Sequence, residues 1–214
     1  TALNYTMVKQ GLKKLKTSNR AAIQKLNEIM AKQNFVSDDI GFFIAPKLNS
    51  AGRMDDASIA LEFLLSKNSY EANEGLDLLE ELNNFRKSLQ EEISKKADQK
   101  TNSEDNAVVV WGDAWHEGVI GIVASKLSNA YKKPAFIFSV NNGVAKGSAR
   151  ANANINLYDI ITKASHLLLG YGGHKNAAGL SMKEENLEEF KTIINEELAN
   201  SKEELHIEPN TLGE

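Results

Sequence analysis

The sequence predicts an α/β protein: a helical connector with one long helix, followed by an α/β domain with a mixed sheet. Three observations carry that expectation. Residues 69–100 contain no proline and one glycine, while Leu76, Leu79, Leu82, Phe85, Leu89 and Ile93 recur every three or four positions, the period of a helix with one apolar face. The runs Ala107 to Trp111 and Ala135 to Ser139 are continuously apolar or nearly so, as strands covered on both faces are. Between them, Val119 to Tyr131 reads as a crossover helix, which makes a βαβ unit.

The elements follow in order. From Met7 to Ala31 the apolar residues Val8, Leu12, Leu15, Ile23, Leu26 and Ile29 sit at helical spacings around Thr17-Ser18-Asn19, residues that favour caps and turns, so two short helices are expected. A further helix is predicted after Ser37, capped by its hydroxyl with Asp38 and Asp39 in the first turn, and ending before Pro46. Pro46 to Arg53 reads as an irregular link, and about Asp55 to Leu65 as the next helix. The long helix over 69–100 would extend about 45 Å at 1.5 Å per residue, bridging two lobes or crossing one body. Its charges, among them Glu80, Glu81, Arg86, Lys87, Glu91 and Glu92, read as a solvated face. The polar stretch Thr101 to Asn106 marks the start of a second domain. Past the βαβ unit, Val144 to Ala151 is predicted as a strand, Leu157 to Leu169 as a helix, Ala177 to Met182 as a strand and Leu187 to Leu198 as a closing helix. The predicted boundaries are therefore a helical segment over 1–68, the connecting helix over 69–100, the α/β domain over 101–200 and the start of a linker over 201–214.

Composition narrows the function classes. With 214 residues there is material for two cores. No cysteine is present, which excludes disulfides, a thiolate nucleophile and Cys-ligated metals. No apolar run approaches a membrane span and the first residues lack a signal-peptide pattern, so a cytoplasmic protein with no membrane partner is expected. A net charge of −4 requires any nucleic-acid contact to use a local basic groove in an acidic whole.

Two segments carry chemistry. In Gly170-Tyr171-Gly172-Gly173-His174-Lys175-Asn176-Ala177-Ala178-Gly179, six of the ten residues are glycine or alanine. Either the glycines uncover successive N–H groups as a nest for a phosphate oxygen, with His174 adding a bond, or the stretch is a tight helix-to-strand turn. In Lys146 to Ala151, period-two alternation puts Lys146, Ser148 and Arg150 on one strand face. Arg offers a planar donor fork, Lys a point charge and Ser a hydroxyl, a set that suits phosphate; a charged edge strand is the alternative. The loop Gly112 to Gly118 leaves a strand end and enters a helix, where open α/β sheets bind ligands, which makes His116 and Glu117 candidate contacts. Trp115 reads as an apolar anchor before a base-stacking ring. Asp38-Asp39 and Asp55-Asp56 read as helix-start carboxylates, and the four histidines His116, His166, His174 and His206 form no metal-ligand spacing. Walker, Rossmann and nucleophile-elbow motifs are absent.

Four blocks in order, Ile44-Ala45-Pro46-Lys47-Leu48-Asn49-Ser50-Ala51-Gly52-Arg53, Trp115 to Ser125, Lys146-Gly147-Ser148-Ala149-Arg150, and Gly172-Gly173-His174 with Ala177-Ala178-Gly179, resemble the RecJ family of single-stranded-DNA-specific exonucleases in the DHH phosphoesterase superfamily. The resemblance implies that residues 1–68 are the end of a DHH domain and that 101–200 are the DHH-associated domain, with the catalytic half outside this sequence. It implies 5′ to 3′ hydrolysis of single-stranded DNA by the whole enzyme with Mn²⁺ or Mg²⁺, no cofactor in the present chain, and a helicase and a single-strand-binding protein as candidate partners. It matches Arg53, Ser148 and Arg150 to positions that grip the 5′-phosphate or nearby backbone and His174 to the motif histidine facing the active cleft, where it would support catalysis. Lys146, His116, Gly172 and Gly173 complete the expected phosphate-binding set. Lys47 departs from the pattern, where arginine is the commoner residue; charge is kept and bidentate geometry is not. Two other functions share parts of these motifs: a DHH-family phosphoesterase for short oligonucleotides or cyclic dinucleotides, and a tRNA-binding module like that of alanyl-tRNA synthetase.

Overall fold

The computed structural model describes residues 2–32, 35–151 and 155–206, with side chains up to residue 200. Two compact units are present, 1–88 and 89–214.

The first unit is helical: α1 (Ala2–Lys16), α2 (Ala21–Met30), α3 (Ser37–Asp39), α4 (Ala45–Met54), α5 (Ser58–Leu64) and the first part of α6 (Ser69–Gln99). Its core gathers Ile23, Leu26, Ile44, Ala51, Phe63, Ala72, Leu76 and Leu79. The expected break at Pro46 is absent. A π-helix over Ile40–Ile44 runs into α4, so Pro46 is followed by helix and the expected irregular link over 46–53 is wrong. Pro46 has no N–H to give and its ring crowds the carbonyl one turn back. The wider π turn, closed by Ala45 N–H donating to the Ile40 carbonyl, relieves that crowding, and burial of Ile44 and Ala51 holds the path. The Ser37 hydroxyl makes no capping bond; the cap runs in reverse, with Val36 N–H donating to the Asp39 carboxylate at 3.0 Å. Asp56 accepts from Ser58 N–H at 2.7 Å and starts α5 as a helix-start carboxylate does.

The long helix is observed as one element of 31 residues. Its face is not uniformly solvated: Asn83 and Arg86 are buried in the first unit, where Arg86 Nη2 and Nε donate to Asn83 Oδ1 at 2.9 and 3.3 Å.

The second unit is an α/β layer structure around a five-stranded mixed sheet. The strands are β1 (Val108–Asp113), β2 (Ala135–Asn141), β3 (Val144–Arg150), β4 (Leu168–His174) and β5 (Ala177–Lys183), in the order β1-β2-β3-β5-β4. β1 and β2 are parallel, joined by α7 (Glu117–Tyr131), and the remaining pairs are antiparallel. One face of the sheet packs on α8 (Leu157–Lys163) and α9 (Leu187–His206). Phe190 of α9 meets Phe136 and Phe138 edge-on, at centroid distances of 5.6 and 5.7 Å, and Leu157, Ile161, Leu180, Met182 and Ile194 fill the space around them. The helix expected over 157–169 stops at Lys163; a 3₁₀ turn over Ser165–Leu167 leads into β4, the edge strand. The closing helix runs past Leu198 to His206, and residues 207–214 of the expected linker lie outside the described residues.

Candidate nucleic-acid interface

Register brings the two predicted segments together. β5 pairs with β3 on one side and β4 on the other, so three rows cross three strands: Lys146, Ser181 and Gly170; Ser148, Gly179 and Gly172; Arg150, Ala177 and His174. Residues directly paired across a sheet share a face, with neighbouring strands about 4.8 Å apart and successive rows about 6.8 Å apart. On this face β5 presents Ser181, Gly179 and Ala177 and β4 presents Gly170, Gly172 and His174, so apart from His174 the sheet is nearly bare backbone.

α7 covers the other half of the same face. Seen from Gly121, a Cβ would come within 3.1 Å of Ser148 Oγ and 3.2 Å of Arg150 Nη2, so the helix rests on these two side chains. Arg150 Nη1 donates to Ser148 Oγ at 2.9 Å and to the Ala149 carbonyl at 2.8 Å. Lys146 Nζ pairs with Glu117 Oε1 on the first turn of α7 at 3.1 Å. Where α7 ends its cover, a shallow groove of about 480 Å³ opens, lined by Glu117, Ile120, Lys146, Ser148, Gly170, Gly179 and Ser181. Its wall carries a cation and hydroxyls and its floor is glycine. The partial positive charge of the α7 N-terminus adds to the field along that wall. Ser148 accepts from a guanidinium, which cannot serve as a base, so this pair does not activate the hydroxyl as a nucleophile, and its donors are of the kind that suit an anion.

The glycine-rich segment is a β-hairpin and not an anion nest. Lys175-Asn176 make its turn, and their carbonyls accept from Leu157 N–H at 2.9 Å and Ala151 N–H at 3.1 Å, which ties the tip to the start of α8 and sets His174 at a fixed strand end. The N–H groups of an extended strand alternate in direction, so they cannot converge on one oxygen. Gly173 serves the hairpin. It adopts φ +155°, and a Cβ there would lie 2.4 Å from the Ala177 carbonyl oxygen, so the hairpin itself demands glycine. Gly172 faces the rows above, with nothing within 4 Å of a Cβ.

His116 caps α7, its Nδ1 accepting from Gly118 N–H at 3.1 Å, a helix-start role for the predicted contact. Trp115 is buried and packs over Gly112, where a Cβ would fall 2.2 Å from the indole; Lys100 Nζ lies 5.7 Å from its ring centre. It is an anchor, as read from the loop. Arg53 belongs to the helical unit, in the last turn of α4. There Arg86 was missed by sequence reasoning, because a lone arginine on a charged helix gives no sign of burial. Burial first, and the Arg53 guanidinium second, disfavour its charge. Lys47 is held by Glu80 at 2.9 Å and lies 4.8 Å from the Phe43 ring centre.

Among the described residues no three His, Asp or Glu side chains gather as a metal-holding group. The groove has a single carboxylate, Glu117, and it is paired with a lysine, a donor set of the wrong sign for a divalent cation. No helix among the described residues is long and apolar enough to cross a membrane.

Comparison with known proteins gives a consistent result. The family model for the DHHA1 domain matches residues 104–200. The single-stranded-DNA-specific exonuclease RecJ of Bacillus subtilis is 32% identical over 203 residues, which is 90% of this chain and 25% of that protein. The crystal structure of RecJ with Mg²⁺ from Thermus thermophilus superposes with a TM-score of 0.84 at 34% identity, covering 92% of this chain and 31% of that one. A structure of exonuclease RecJ bound to manganese gives 0.80 at 34% identity, covering 92% and 50%. The chain thus spans between a quarter and a half of the length of these relatives. Residues 104–200 match the DHHA1 domain, and over about nine-tenths of its own length the chain is similar to the RecJ single-stranded-DNA-specific exonucleases.

Proposed function

We propose that this chain is the substrate-holding part of a longer single-stranded-DNA-specific exonuclease acting 5′ to 3′. In this reading, Lys146, Ser148 and Arg150 grip the sugar–phosphate chain, which lies on the glycine floor made by Gly172 and Gly179. His174 serves the terminal phosphate, Arg53 is a phosphate contact of the helical unit taken by itself, and His116 acts through the start of α7. The observation that carries the reading is the three-row register, because it sets cation and hydroxyl donors beside a strip of sheet with no side chains in the way. Such a surface contacts backbone and reads no base edges, as a sequence-neutral nuclease requires. An overall charge of −4 is compatible with this, since Lys146 and Arg150 lie on one face of one strand and act locally within an acidic whole. Among the described residues no donor set gathers for the Mg²⁺ and Mn²⁺ of the related structures, and the role proposed for the residues named above is to bind and orient. Anchoring one end of the strand selects which phosphodiester is presented for hydrolysis, and that gives directionality.

The test is a salt titration of binding to a 5′-phosphorylated single-stranded oligonucleotide, read by fluorescence anisotropy. Affinity should fall linearly on a log–log scale, and Lys146→Ala or Arg150→Ala should flatten the slope by about 0.7 for each lost phosphate contact. Arg150→Ala should also weaken binding by about 1–3 kcal/mol. Unchanged affinity and slope in both variants would remove the groove from the site. With Mn²⁺ or Mg²⁺ the chain alone is expected to leave the oligonucleotide uncut. Binding of dinucleotides as tight as that of long strands would favour a small-substrate phosphoesterase instead.

A further inference from the structure

Two exposed tyrosines stand side by side at the open edge of the sheet. Tyr171 on β4 is 36% exposed and Tyr158 on the first turn of α8 is 46% exposed. Their ring centres are 5.8 Å apart with the planes tilted by 40°. Tyr171 pairs with Leu180, a core residue, so its ring leaves the sheet on the α8 side while its strand also walls the groove. Leu169, on the same strand, is 61% exposed. The result is an aromatic and apolar patch continuous with the groove but on the far side of the edge strand, and no part of the fold described above uses it.

We infer that Tyr158 and Tyr171 form a base-stacking platform for single-stranded nucleic acid at the open edge of the sheet. The inference rests on the groove reading above and extends it from phosphates to bases. A strand gripped by its phosphates on the glycine floor turns its bases outward over β4, and a pair of exposed rings meets their faces there. Every base has a π face, so such a platform holds a strand without selecting its sequence. A protein strand added to the edge is a poorer occupant. Recognition by strand addition depends on pockets between alternate side chains, and Gly170, Gly172 and Gly173 leave three of the seven β4 positions without one.

The test compares a 12-nucleotide oligothymidylate with an abasic phosphodiester strand of the same length, by anisotropy with the chain as it stands. The unaltered chain should bind the thymidylate at least about fivefold more tightly than the abasic strand, the effect of one stacked base. Tyr158→Ala/Tyr171→Ala should bind both strands equally, at the abasic affinity, while Tyr158→Phe/Tyr171→Phe should keep the preference because the rings remain. Circular dichroism checks that the double alanine variant is folded, and Tyr158→Ala alone, on an exposed helix position, should lose part of the preference should the double variant fail. A preference that survives in the folded alanine variants, or is lost in the phenylalanine one, overturns the platform. Salt-sensitive binding of both strands without any preference also overturns it and leaves the groove standing. Absence of binding to either strand would defeat the groove and the platform together.

Discussion

Replacing Gly179 by valine should strengthen the fold and weaken DNA binding, two effects of opposite sign from one substitution. Gly179 pairs with Ser148 on one side and Gly172 on the other. Its backbone does not occupy the left-handed region, and a Cβ at this position meets nothing within 4 Å. The folded state therefore accepts a side chain at no steric cost to the sheet. A side chain also removes freedom from the unfolded chain, which at a compatible site stabilises by about 0.4–1 kcal/mol, and a branched residue suits a strand. In a protein of this size that corresponds to a rise in melting temperature of up to about 4 °C. The same Cβ projects over the groove floor in the row of Ser148. It lifts a phosphate away from that hydroxyl and from the Arg150 guanidinium bonded to it. Losing one hydrogen bond to a charged group costs about 1.5–3 kcal/mol, or about 10- to 150-fold in affinity. Thermal unfolding followed by circular dichroism and oligonucleotide anisotropy on the same samples measure both signs. A variant that is more stable and binds single strands as before would show that DNA does not lie on this face. A variant destabilised by more than about 1 kcal/mol would show that the glycine serves the fold.

Gly147 offers the contrast, because a Cβ there would fall 2.4 Å from the Phe138 ring; Gly147→Ala should cost about 1–3 kcal/mol by overpacking, read from the urea midpoint. Glu117 is the carboxylate on the groove wall and holds Lys146, so Glu117→Gln should tighten single-strand binding severalfold at low salt, with the gain fading as salt screens it; weaker binding would mean that the pair positions the lysine. Asp39 has its carboxyl held below the ordinary range, first by the Lys32 ammonium that donates to it and then by Val36 N–H. A lowered folded pKa adds stability above the unfolded value of about 3.9 that is lost as pH falls through the folded one. Asp39→Asn should therefore be less stable than the parent at pH 7, and the gap should close below about pH 4 in denaturant titrations.

Much of this architecture was legible because periodicity is a local property. The long helix, the β1-α7-β2 unit and the β3 alternation each announce themselves within a dozen residues, and the observed α6, β1, α7, β2 and β3 follow those patterns. What was not legible depended on partners. β4 is poor in strand formers, with three glycines in seven residues, and the Leu167-Leu168-Leu169 run at its start favours a helix by propensity. Pairing with β5 overrides that preference. α4 continues past Pro46 because a π turn and buried contacts absorb the proline, and neither is written in a local pattern. At the candidate interface, alternation placed Lys146, Ser148 and Arg150 together, but only the strand order, with β5 inserted between β3 and β4, aligns them with Gly172. Burial of Arg86 likewise follows from packing that a charged helix face does not advertise.

The division of one sheet face between cover and exposure is what makes the surface usable. α7 rests on β2 and β3 because Ser148 and Arg150 fit under Gly121, where a larger residue would have to displace them. That contact, with the bonds from Arg150 to Ser148 and the Ala149 carbonyl, fixes the guanidinium before any ligand arrives. Little conformational freedom then remains for that side chain to lose on binding. Beyond the helix, β5 and β4 could be covered only by side chains or by another layer, and their residues on this face, His174 at the strand end aside, are too small to supply the first. The hairpin needs glycine at 173 for its own geometry but not at 172 or 179. Two glycines that the fold does not require, next to a hydroxyl and a guanidinium already locked in place, are what the proposed occupant, lying directly on the backbone, would need.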